Sequence, residues 1–199
     1  CQKNDFNLIE LKKIFGQLES FFHGSSSGTD PLICYLNQPV LIQPGKMSVV
    51  TSFPTENSRK NSTIFLFDTG IARQTGPFVN LFLEKCEDES YNKMCKTELV
   101  PEVNLAIQNF LNSRWEDLLE SFHKIGVIHY DFFAEMIPDS YKKLWSESLK
   151  NDLFKLKLCG AGGGGFILGM TKDWEKTLKV LADEKLIPVF GFSSYDASV

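Results

Sequence analysis

The residues from Gly160 to Gly165 are the part of the sequence whose composition most clearly suggests chemistry, because five of the six are glycine. A glycine held in an ordered interior costs roughly 0.5–1 kcal/mol relative to alanine. A chain tolerates this cost where its backbone must come close to another group, as backbone amides do around phosphate oxygens. A tight turn between strands needs only one or two glycines. The run therefore favours a phosphate-binding role, with a purely structural turn as the alternative.

This glycine run differs from the common nucleotide-binding motifs. The residues after Gly165 form an apolar, strand-like run, Phe166 to Leu168, and not an amphipathic helix. The dinucleotide-binding GxGxxG arrangement therefore lacks its usual context. No GxxxxGK[ST] motif occurs either, which excludes a P-loop on this chain.

Two carboxylates, Glu19 and Asp30, form the second candidate feature. On a helix, Glu19 borders an apolar stripe that includes Phe15 and Phe22, so its carboxylate would be desolvated unless it bound a cation or a donor. Asp30 ends a loop of serines and glycines near a predicted helix start at Pro31. Structural roles stay open for both: Glu19 could be the solvated flank of a helix, and Asp30 the helix N-cap.

The other polar residues have structural interpretations of their own. The serines at 25–27 could satisfy free amides between two helices, and His23 could interact with a helix dipole. His123 and His129 are interpreted as ordinary surface or core positions and receive no role. The segment 68–75 (DTGIARQT) places a cation and hydroxyls after a strand, so anion binding and a structural turn are both open.

The elements that must position these residues predict an α+β fold. Strands come first, several helices follow, and a β-β-α-β segment ends the chain, which predicts helices on one face of a largely antiparallel sheet. The polar stretch 51–62 is the predicted internal boundary, and Gly24 and Gly126 are predicted helix ends. Periodicity predicts helices near 5–22, 77–86, 98–112, 114–126, 138–150 and 173–184, and strands near 40–42, 47–50, 64–67, 154–158, 166–168 and 186–190.

Composition excludes several functional classes. The 199 residues are 43% hydrophobic and 23% charged, which is typical of a globular protein with an ample core. The net charge of −4, without a basic block, disfavours nucleic acid as a partner. The sequence has no run of eighteen apolar residues, so it predicts no membrane-spanning helix. Five scattered cysteines without a CxxC pair favour a reduced, cytoplasmic setting and argue against a zinc site.

The sequence begins with Cys1, and helical periodicity starts at once from Asp5. A mature lipoprotein can begin with cysteine, but a flexible polar stretch should then follow that cysteine before any helix. We therefore expect these residues to be a portion of a longer protein.

Three segments together resemble the GHMP kinase superfamily, which includes galactokinase, homoserine kinase, mevalonate kinase and phosphomevalonate kinase. Residues 19–30 (ESFFHGSSSGTD) are most similar to mevalonate kinase, and residues 68–75 are similar to its members as well. Residues 157–165 (KLCGAGGGG) resemble the third motif of the superfamily, with Cys159 at a position often occupied by threonine. The resemblance extends over about residues 5–191.

This resemblance implies a fold and an activity. Residues 1–55 would be the back part of a GHMP-kinase N-terminal domain, and residues 56–199 a ferredoxin-like C-terminal domain. The protein would transfer the γ-phosphate of ATP to an alcohol, with mevalonate as the predicted small-molecule acceptor and Mg²⁺ as the metal. Phosphoryl transfer needs a metal that neutralises phosphate charge and a base that orients the attacking oxygen.

The resemblance also implies roles for matching positions. Asp30 would be the base that accepts the hydroxyl proton, and Glu19 the carboxylate that binds Mg²⁺. The positions beside the nucleotide phosphates would be Gly160, Ala161, Gly162 and Gly163, and those on the substrate side His23, Ser27 and Gly28. The hypothesis requires both carboxylates and the glycine run to meet in one pocket.

Two features of the superfamily do not occur in these residues: a Pro- and Ser-rich glycine loop that grips the nucleotide phosphates, and a lysine near the chain start. The sequence therefore predicts that the 199 residues alone do not turn over ATP. A non-catalytic binding or regulatory protein on the same scaffold is one alternative, although the presence of both carboxylates favours a kinase. A kinase for another sugar or isoprenoid-precursor alcohol is the other, and the oligomeric state is not predicted.

Overall fold

The computed structural model describes residues 7–23, 26–43, 46–50, 54, 62–72 and 75–192. The chain divides into two compact units, residues 1–53 and residues 54–199. Most of the polar stretch 51–62, and Gly24, lie outside the described residues. The kinase-domain identities assigned to residues 1–55 and 56–199 stay predictions.

The first unit contains two helices and two antiparallel strands. Periodicity predicted the first helix and both strands, and the second helix was expected near Pro31. Helix α1 (Leu8–His23) is followed by helix α2 (Thr29–Leu36) and by the antiparallel strands β1 (Val40–Gln43) and β2 (Lys46–Val49). Leu32 is fully buried, and the ring centroids of Phe15 and Tyr35 lie 5.4 Å apart.

Helix α2 begins two residues before Pro31, so the interpretation of Asp30 as its N-cap is wrong. Gly28 occupies the N-cap position with φ 70°, and Asp30 lies in the first turn. A Cβ on Gly28 would lie 2.1 Å from the Lys12 carbonyl oxygen and 2.5 Å from the Gly16 nitrogen. Only glycine accommodates both the positive φ and this close approach to α1.

The second unit is built on a four-stranded sheet in the order β4-β5-β3-β6, and every neighbouring pair is antiparallel. A short helix α8 (Trp174–Val180) connects β5 to β6, and a helical segment connects β3 to β4. This βαββαβ order is the ferredoxin-like arrangement, so the predicted α+β fold is confirmed. The strands are β3 (Ser62–Asp68), β4 (Phe154–Leu158), β5 (Phe166–Thr171) and β6 (Lys185–Phe192).

The helical segment between β3 and β4 contains one helix that the periodicity did not predict. Asp88 caps α4 by accepting a hydrogen bond from the Tyr91 nitrogen, and only six residues precede a π-helical turn, which is too short for an apolar stripe. The segment comprises α3 (Thr75–Lys85), α4 (Glu89–Met94), the π-helical turn Cys95–Leu99, α5 (Val100–Leu111), α6 (Trp115–Phe132), a 3₁₀ turn (Ala134–Met136) and α7 (Asp139–Lys150).

The predicted helix end at Gly126 is wrong, because α6 continues to Phe132. Gly126 is buried where α6 crosses β4, and a Cβ there would lie 2.6 Å from the Leu156 carbonyl oxygen. The Gly126 carbonyl also accepts a hydrogen bond of 3.0 Å from Trp145 Nε1. The glycine therefore permits close packing of helix on strand and does not terminate the helix.

The core of the second unit is rich in aromatic side chains. The largest fully buried ones lie around the sheet and α7: Trp145, Phe65, Phe67 and Phe154. From the predicted helix 173–184, Leu181 is buried, whereas Leu178 is 41% exposed. Across the described ranges, none of the helices is both long enough and apolar enough for a bilayer crossing.

Candidate functional site

The glycine run forms the connection between β4 and β5, and its backbone is largely left-handed. The φ angles are 76° at Gly160, 76° at Gly162, 75° at Gly163, 140° at Gly164 and 65° at Gly165. Residues that carry a side chain rarely adopt these backbone conformations. The five glycines are therefore required by the shape of this connection, which is more than a two-residue hairpin needs.

Three of these glycines also pack tightly against the protein itself. A Cβ on Gly162 would lie 2.5 Å from the Met136 carbonyl oxygen, and one on Gly163 would lie 1.9 Å from the Phe78 ring. A Cβ on Gly164 would lie 2.7 Å from the Ile71 carbonyl oxygen. Close internal packing therefore explains some of the glycines that the sequence analysis attributed to phosphate binding.

The hairpin is held by backbone hydrogen bonds that use some of its amides. The Gly163 nitrogen donates to the Met136 carbonyl at 2.6 Å, and the Gly165 nitrogen to the Ile71 carbonyl at 2.8 Å. The Gly165 carbonyl accepts from the Thr69 nitrogen at 2.9 Å and from Thr69 Oγ1 at 2.8 Å. These two amides are therefore engaged internally and are not available to a phosphate.

The tip of the hairpin is different. Gly160 is exposed and Ala161 is half-buried. Within the part of the chain that the structure describes, the amides of Gly160, Ala161, Gly162 and Gly164 make no backbone hydrogen bond. The tip is therefore the part of the run whose amides could meet a ligand, on a base fixed by the bonds of Gly163 and Gly165.

Residues 68–71 form a turn that supports the hairpin. Asp68 Oδ1 accepts from the Gly70 nitrogen at 3.0 Å, and Asp68 Oδ2 pairs with Lys185 Nζ at 2.7 Å. The hydrogen bonds from Lys185 and from the Gly70 amide hold the pKa of Asp68 below its ordinary value. This geometry favours the structural interpretation of residues 68–71, while Arg73 and the Thr75 side chain lie outside the described residues.

His129 and Lys157 lie where β4 leads into the hairpin. His129 is buried, and its Nδ1 accepts a hydrogen bond of 3.1 Å from the Leu158 nitrogen. Burial, with a smaller effect of the Lys157 charge, lowers the pKa of His129 to about 3. Burial also lowers the pKa of Lys157, whose Nζ donates to the Leu158 carbonyl at 3.2 Å and lies 5.8 Å from the Phe122 ring centroid. His129 is thus a neutral core residue, as the sequence indicated.

In the first unit, Glu19 is half-buried on α1 and accepts a hydrogen bond from the Ser26 hydroxyl. Ser26 is held in turn, because its nitrogen donates to Ser20 Oγ at 3.0 Å and its Oγ accepts from the Gly28 nitrogen at 3.0 Å. Ser27 is exposed, and its Oγ donates to the hydroxyl of Thr29 at 3.0 Å. Ser26 and Ser27 therefore satisfy loop amides, while Ser25 lies outside the described residues. The carboxylate of Glu19 is fixed to the same loop and is not a solvated flank.

Asp30 has a different environment, since it is exposed in the first turn of α2. Among the described residues its carboxylate has no hydrogen-bond or ion-pair partner. His23 is the last residue of α1, and its side chain lies outside the described residues. The carboxylates belong to the first unit and the glycine hairpin to the second, so their convergence on one pocket stays a prediction.

A groove of about 620 Å³ runs along α1 beside the serine loop. Its lining includes Lys12, Lys13, Ser20, Ser26 and Ser27. Ammonium groups and hydroxyls are suitable donors for an anionic small molecule. Ser26 lines the groove and also donates to the Glu19 carboxylate. The Glu19 carboxylate therefore lies beside the hydroxyl donors of the groove.

The fold of the chain can be compared with solved structures. Phosphomevalonate kinase of Streptococcus pneumoniae, in complex with phosphomevalonate and AMPPNP, matches with a TM-score of 0.54 at 17% identity, over 72% of this chain and 43% of that chain. A further structure of that enzyme matches with a TM-score of 0.52 at 15% identity, over 72% and 44%. The Lin0012 protein of Listeria innocua matches with a TM-score of 0.58 at 19% identity, over 74% and 42%.

The chain has a GHMP-kinase-like fold. It spans less than half the length of the structures it matches. No protein-family model and no curated protein matches the sequence. At these identities the likeness shows the fold alone, and the specific resemblance to mevalonate kinase stays a prediction.

The sequence resemblance implied Mg²⁺ as a metal, and the residues present can be compared with what that ion requires. The described residues contain no group of three or more His, Cys, Asp or Glu side chains able to hold an ion. Mg²⁺ is commonly bound by one or two carboxylates together with substrate phosphates, and it prefers oxygen ligands. The carboxylate of Glu19 beside the hydroxyl of Ser26 supplies such oxygens, so the residues present fit a metal that is shared with a phosphate.

Sequence reasoning missed the residues that hold the β4–β5 hairpin in place. Phe78 and Met136 contact Gly162 and Gly163 from positions far away in the sequence. Neither residue carries a motif, because a backbone carbonyl and an aromatic ring can be supplied by many residue types. Thr69 belonged to a segment that the sequence did single out, but its contact with Gly165 was not foreseeable.

Proposed function

We propose that the protein carrying this chain is a small-molecule kinase that transfers the γ-phosphate of ATP to an alcohol, with mevalonate as the acceptor. One observation carries the proposal: a sequence whose residues 19–30 and 157–165 resemble GHMP-kinase motifs also has a GHMP-kinase-like fold. ATP is the proposed nucleotide because a structural neighbour was solved with AMPPNP. The setting we propose is cytoplasmic.

Asp30 is proposed as the general base. An exposed carboxylate without a partner in the described residues is able to accept the proton of a substrate hydroxyl. His23, Ser27 and Gly28 would shape the substrate side of the same loop. The lysines and hydroxyls of the α1 groove would suit the carboxylate of an acidic alcohol such as mevalonate.

Glu19 is proposed to hold Mg²⁺ together with the phosphates of the nucleotide. When bound there, the metal would neutralise charge on the transferred phosphoryl group. The Ser26 hydroxyl fixes the Glu19 carboxylate before any ligand arrives, and a fixed carboxylate loses little conformational freedom on binding.

The glycine hairpin is proposed to lie beside the phosphates. Gly160 and Ala161, at the tip, would offer amides to phosphate oxygens, as Gly162 would. Gly163 would contribute by its shape alone, because its amide already donates to Met136. A rigid hairpin base keeps the tip amides in place without reorganisation during the reaction.

Phosphomevalonate is the second candidate acceptor, because one structural neighbour was solved with it.

The proposed activity is tested with the longer protein that carries this chain, purified from its natural source. ADP release is measured with ATP, Mg²⁺ and one acceptor at a time: mevalonate, phosphomevalonate, galactose or homoserine. We expect mevalonate to give the highest rate. Highest turnover with another acceptor would replace mevalonate, while nucleotide binding without any ADP release would indicate a non-catalytic protein.

The metal role of Glu19 is tested by substitution. Glu19→Gln should raise the Mg²⁺ concentration needed for half-maximal turnover severalfold, because the amide cannot supply a charged oxygen. The matched control is Glu10→Gln, an exposed glutamate in the first turn of the same helix. An unchanged Mg²⁺ titration in Glu19→Gln would leave Glu19 with only its structural hydrogen bond to Ser26.

A further inference from the structure

The turn that follows β3, residues 69–71, is bonded to the base of the glycine hairpin through its backbone. The paired residues of β3 and β5 end one position before this turn. Beyond them, the Thr69 nitrogen donates to the Gly165 carbonyl at 2.9 Å, and the Gly165 nitrogen donates to the Ile71 carbonyl at 2.8 Å. The turn and the hairpin therefore extend the ladder of the sheet toward the hairpin tip.

The Thr69 hydroxyl adds two side-chain bonds to this backbone pairing. Its Oγ1 donates to the Gly165 carbonyl at 2.8 Å and accepts from the Ile71 nitrogen at 3.3 Å. Thr69 is only 6% exposed, and a buried amide or carbonyl that loses its partner is costly to leave unsatisfied. One hydroxyl therefore fixes the shape of the turn and, at the same time, joins the turn to the hairpin.

Tyr141, in the first turn of helix α7, holds the same turn through a further hydroxyl. Its Oη donates to the Thr69 carbonyl at 3.1 Å, and its ring packs edge-on against Phe67 with the centroids 5.1 Å apart. Burial, with smaller effects of the Glu184 and Asp68 charges, raises the pKa of Tyr141 above its ordinary value. The hydroxyl therefore remains a hydrogen-bond donor at neutral pH.

The connection between α6 and α7 attaches the hairpin at a second point. The Met136 carbonyl accepts a hydrogen bond of 2.6 Å from the Gly163 nitrogen. Tyr141 lies five residues after Met136, and its own nitrogen donates to the Pro138 carbonyl at 2.8 Å. One short segment, residues 136–141, thus holds the hairpin directly at Gly163 and, through the turn after β3, at its other strand.

We propose that Thr69 and Tyr141 are positioning residues, whose hydroxyls hold the hairpin base so that the tip amides are placed to bind the phosphates of a nucleotide. This inference rests on the proposed function, in which those amides bind phosphate. Neither side chain has to contact the ligand. When only a fraction of the molecules has the binding-competent conformation, the apparent affinity falls by that fraction. Loss of either hydroxyl should therefore weaken nucleotide binding and leave the affinity for the acceptor alcohol unchanged.

The test titrates AMPPNP with Mg²⁺ into the longer protein that carries this chain, as wild type and as four variants. Tyr141→Phe keeps the ring, and Thr69→Val keeps the shape of the side chain. Each should raise the dissociation constant of AMPPNP about two- to tenfold, which corresponds to one lost neutral hydrogen bond. Thr69→Ser retains the hydroxyl and should restore binding. Tyr91→Phe is the matched control, because the buried Tyr91 hydroxyl has no hydrogen-bond partner among the described residues.

Two further measurements separate positioning from a general loss of stability. Hydrogen exchange, followed by mass spectrometry, should become faster in peptides covering residues 159–168 of Tyr141→Phe and Thr69→Val, but not in peptides from β6. In turnover assays, the KM for ATP should rise in these two variants while the KM for the acceptor stays at the wild-type value. A protein that is merely less stable would not separate the two KM values.

Three results would count against the inference. Wild-type affinity for AMPPNP in both Tyr141→Phe and Thr69→Val would overturn it, even if the hairpin peptides exchange faster. Equally weak binding in Thr69→Ser and Tyr91→Phe, or an equal rise of both KM values, would show general destabilisation and overturn it as well. Wild-type protein that binds no AMPPNP would instead remove the proposed function, and this inference with it.

Discussion

At the scale of single residues, the two carboxylates of the first unit differ in a way that matches different chemical tasks. Glu19 is half-buried and fixed by the Ser26 hydroxyl, while Asp30 is exposed and has no partner in the described residues. A metal ligand benefits from a fixed orientation, whereas a base must be open to its substrate. The sequence resemblance alone implied these roles, and the local contacts are compatible with them.

The role of Asp30 predicts a specific loss in the longer protein that carries this chain. There, Asp30→Asn should lower turnover by about 10²–10⁴-fold, because an amide cannot accept the hydroxyl proton. The fold should be unaffected, since among the described residues the side chain makes no hydrogen bond or ion pair that the substitution would remove. The control is Asp117→Asn, an exposed aspartate in the first turn of α6. Turnover and far-UV circular dichroism are measured together, and near-normal turnover in Asp30→Asn would remove this residue from the chemistry.

His129 predicts a pH dependence of stability. Its pKa is about 3 in the folded chain, against 6.5 for an exposed histidine, mainly because burial penalises the charged form. Between these values the unfolded chain binds a proton that the folded chain does not. The free energy of unfolding should therefore fall as the pH drops below 6.5, by about 1.4 kcal/mol per pH unit.

Urea unfolding between about pH 5 and 6 checks this, because the exposed carboxylates with lowered pKa values titrate at lower pH. Burial lowers the pKa of His123 as well, so the comparison is His123→Gln against His123→Gln/His129→Gln. The second variant should lose most of the remaining slope. An equal slope in both variants would mean that His129 is protonated in the folded protein.

At the scale of elements, the β4–β5 hairpin shows how far sequence reasoning reaches. The glycine run, both flanking strands and the α+β order were predicted, because periodicity and glycine composition are local signals. The contacts of Phe78 and Met136 with the run were not, because they join residues far apart in the sequence. Gly126 was misread for the same reason: only the approach of Leu156 explains a glycine inside a helix.

Three glycine-to-alanine substitutions, one in the hairpin and two outside it, should change the free energy of unfolding by unequal amounts. Gly163→Ala should destabilise the chain by about 2–5 kcal/mol, since its φ is 75° and the new Cβ would overlap the Phe78 ring. Gly70→Ala has a similar φ of 64° but open space, so it should cost only about 1–2 kcal/mol. Gly76→Ala, in a helix with open space, should be neutral or stabilising by up to about 1 kcal/mol.

A double-mutant cycle separates backbone strain from overlap with the ring. In a Phe78→Ala background the cost of Gly163→Ala should shrink toward that of Gly70→Ala, because the atoms that the Cβ would meet are gone. Chemical unfolding of the four proteins gives the coupling energy. Additive costs would show that Phe78 does not define the space around the hairpin.

At the scale of the whole molecule, the two units differ in how much they bury. Among the described residues of the first unit, only Gly16, Gly28 and Leu32 are buried. Its α1 exposes Phe21 and Phe22 by 86% and 76%, although Phe22 was part of the predicted apolar stripe. Both hydrophobic core clusters found among the described residues belong to the second unit, which also contains the complete ferredoxin-like sheet.

Residues 54–199 should therefore fold without the first unit. A chain of this length buries about two thirds of its unfolded surface, which is enough for an independent domain. All three tryptophans, Trp115, Trp145 and Trp174, lie in this unit, so tryptophan fluorescence reports its unfolding in the full chain and in the fragment alike. We expect one cooperative urea transition with nearly the same midpoint in both proteins. A fragment with a broad transition, or with a midpoint far below that of the full chain, would show that the sheet and its helices depend on residues 1–53 for their stability.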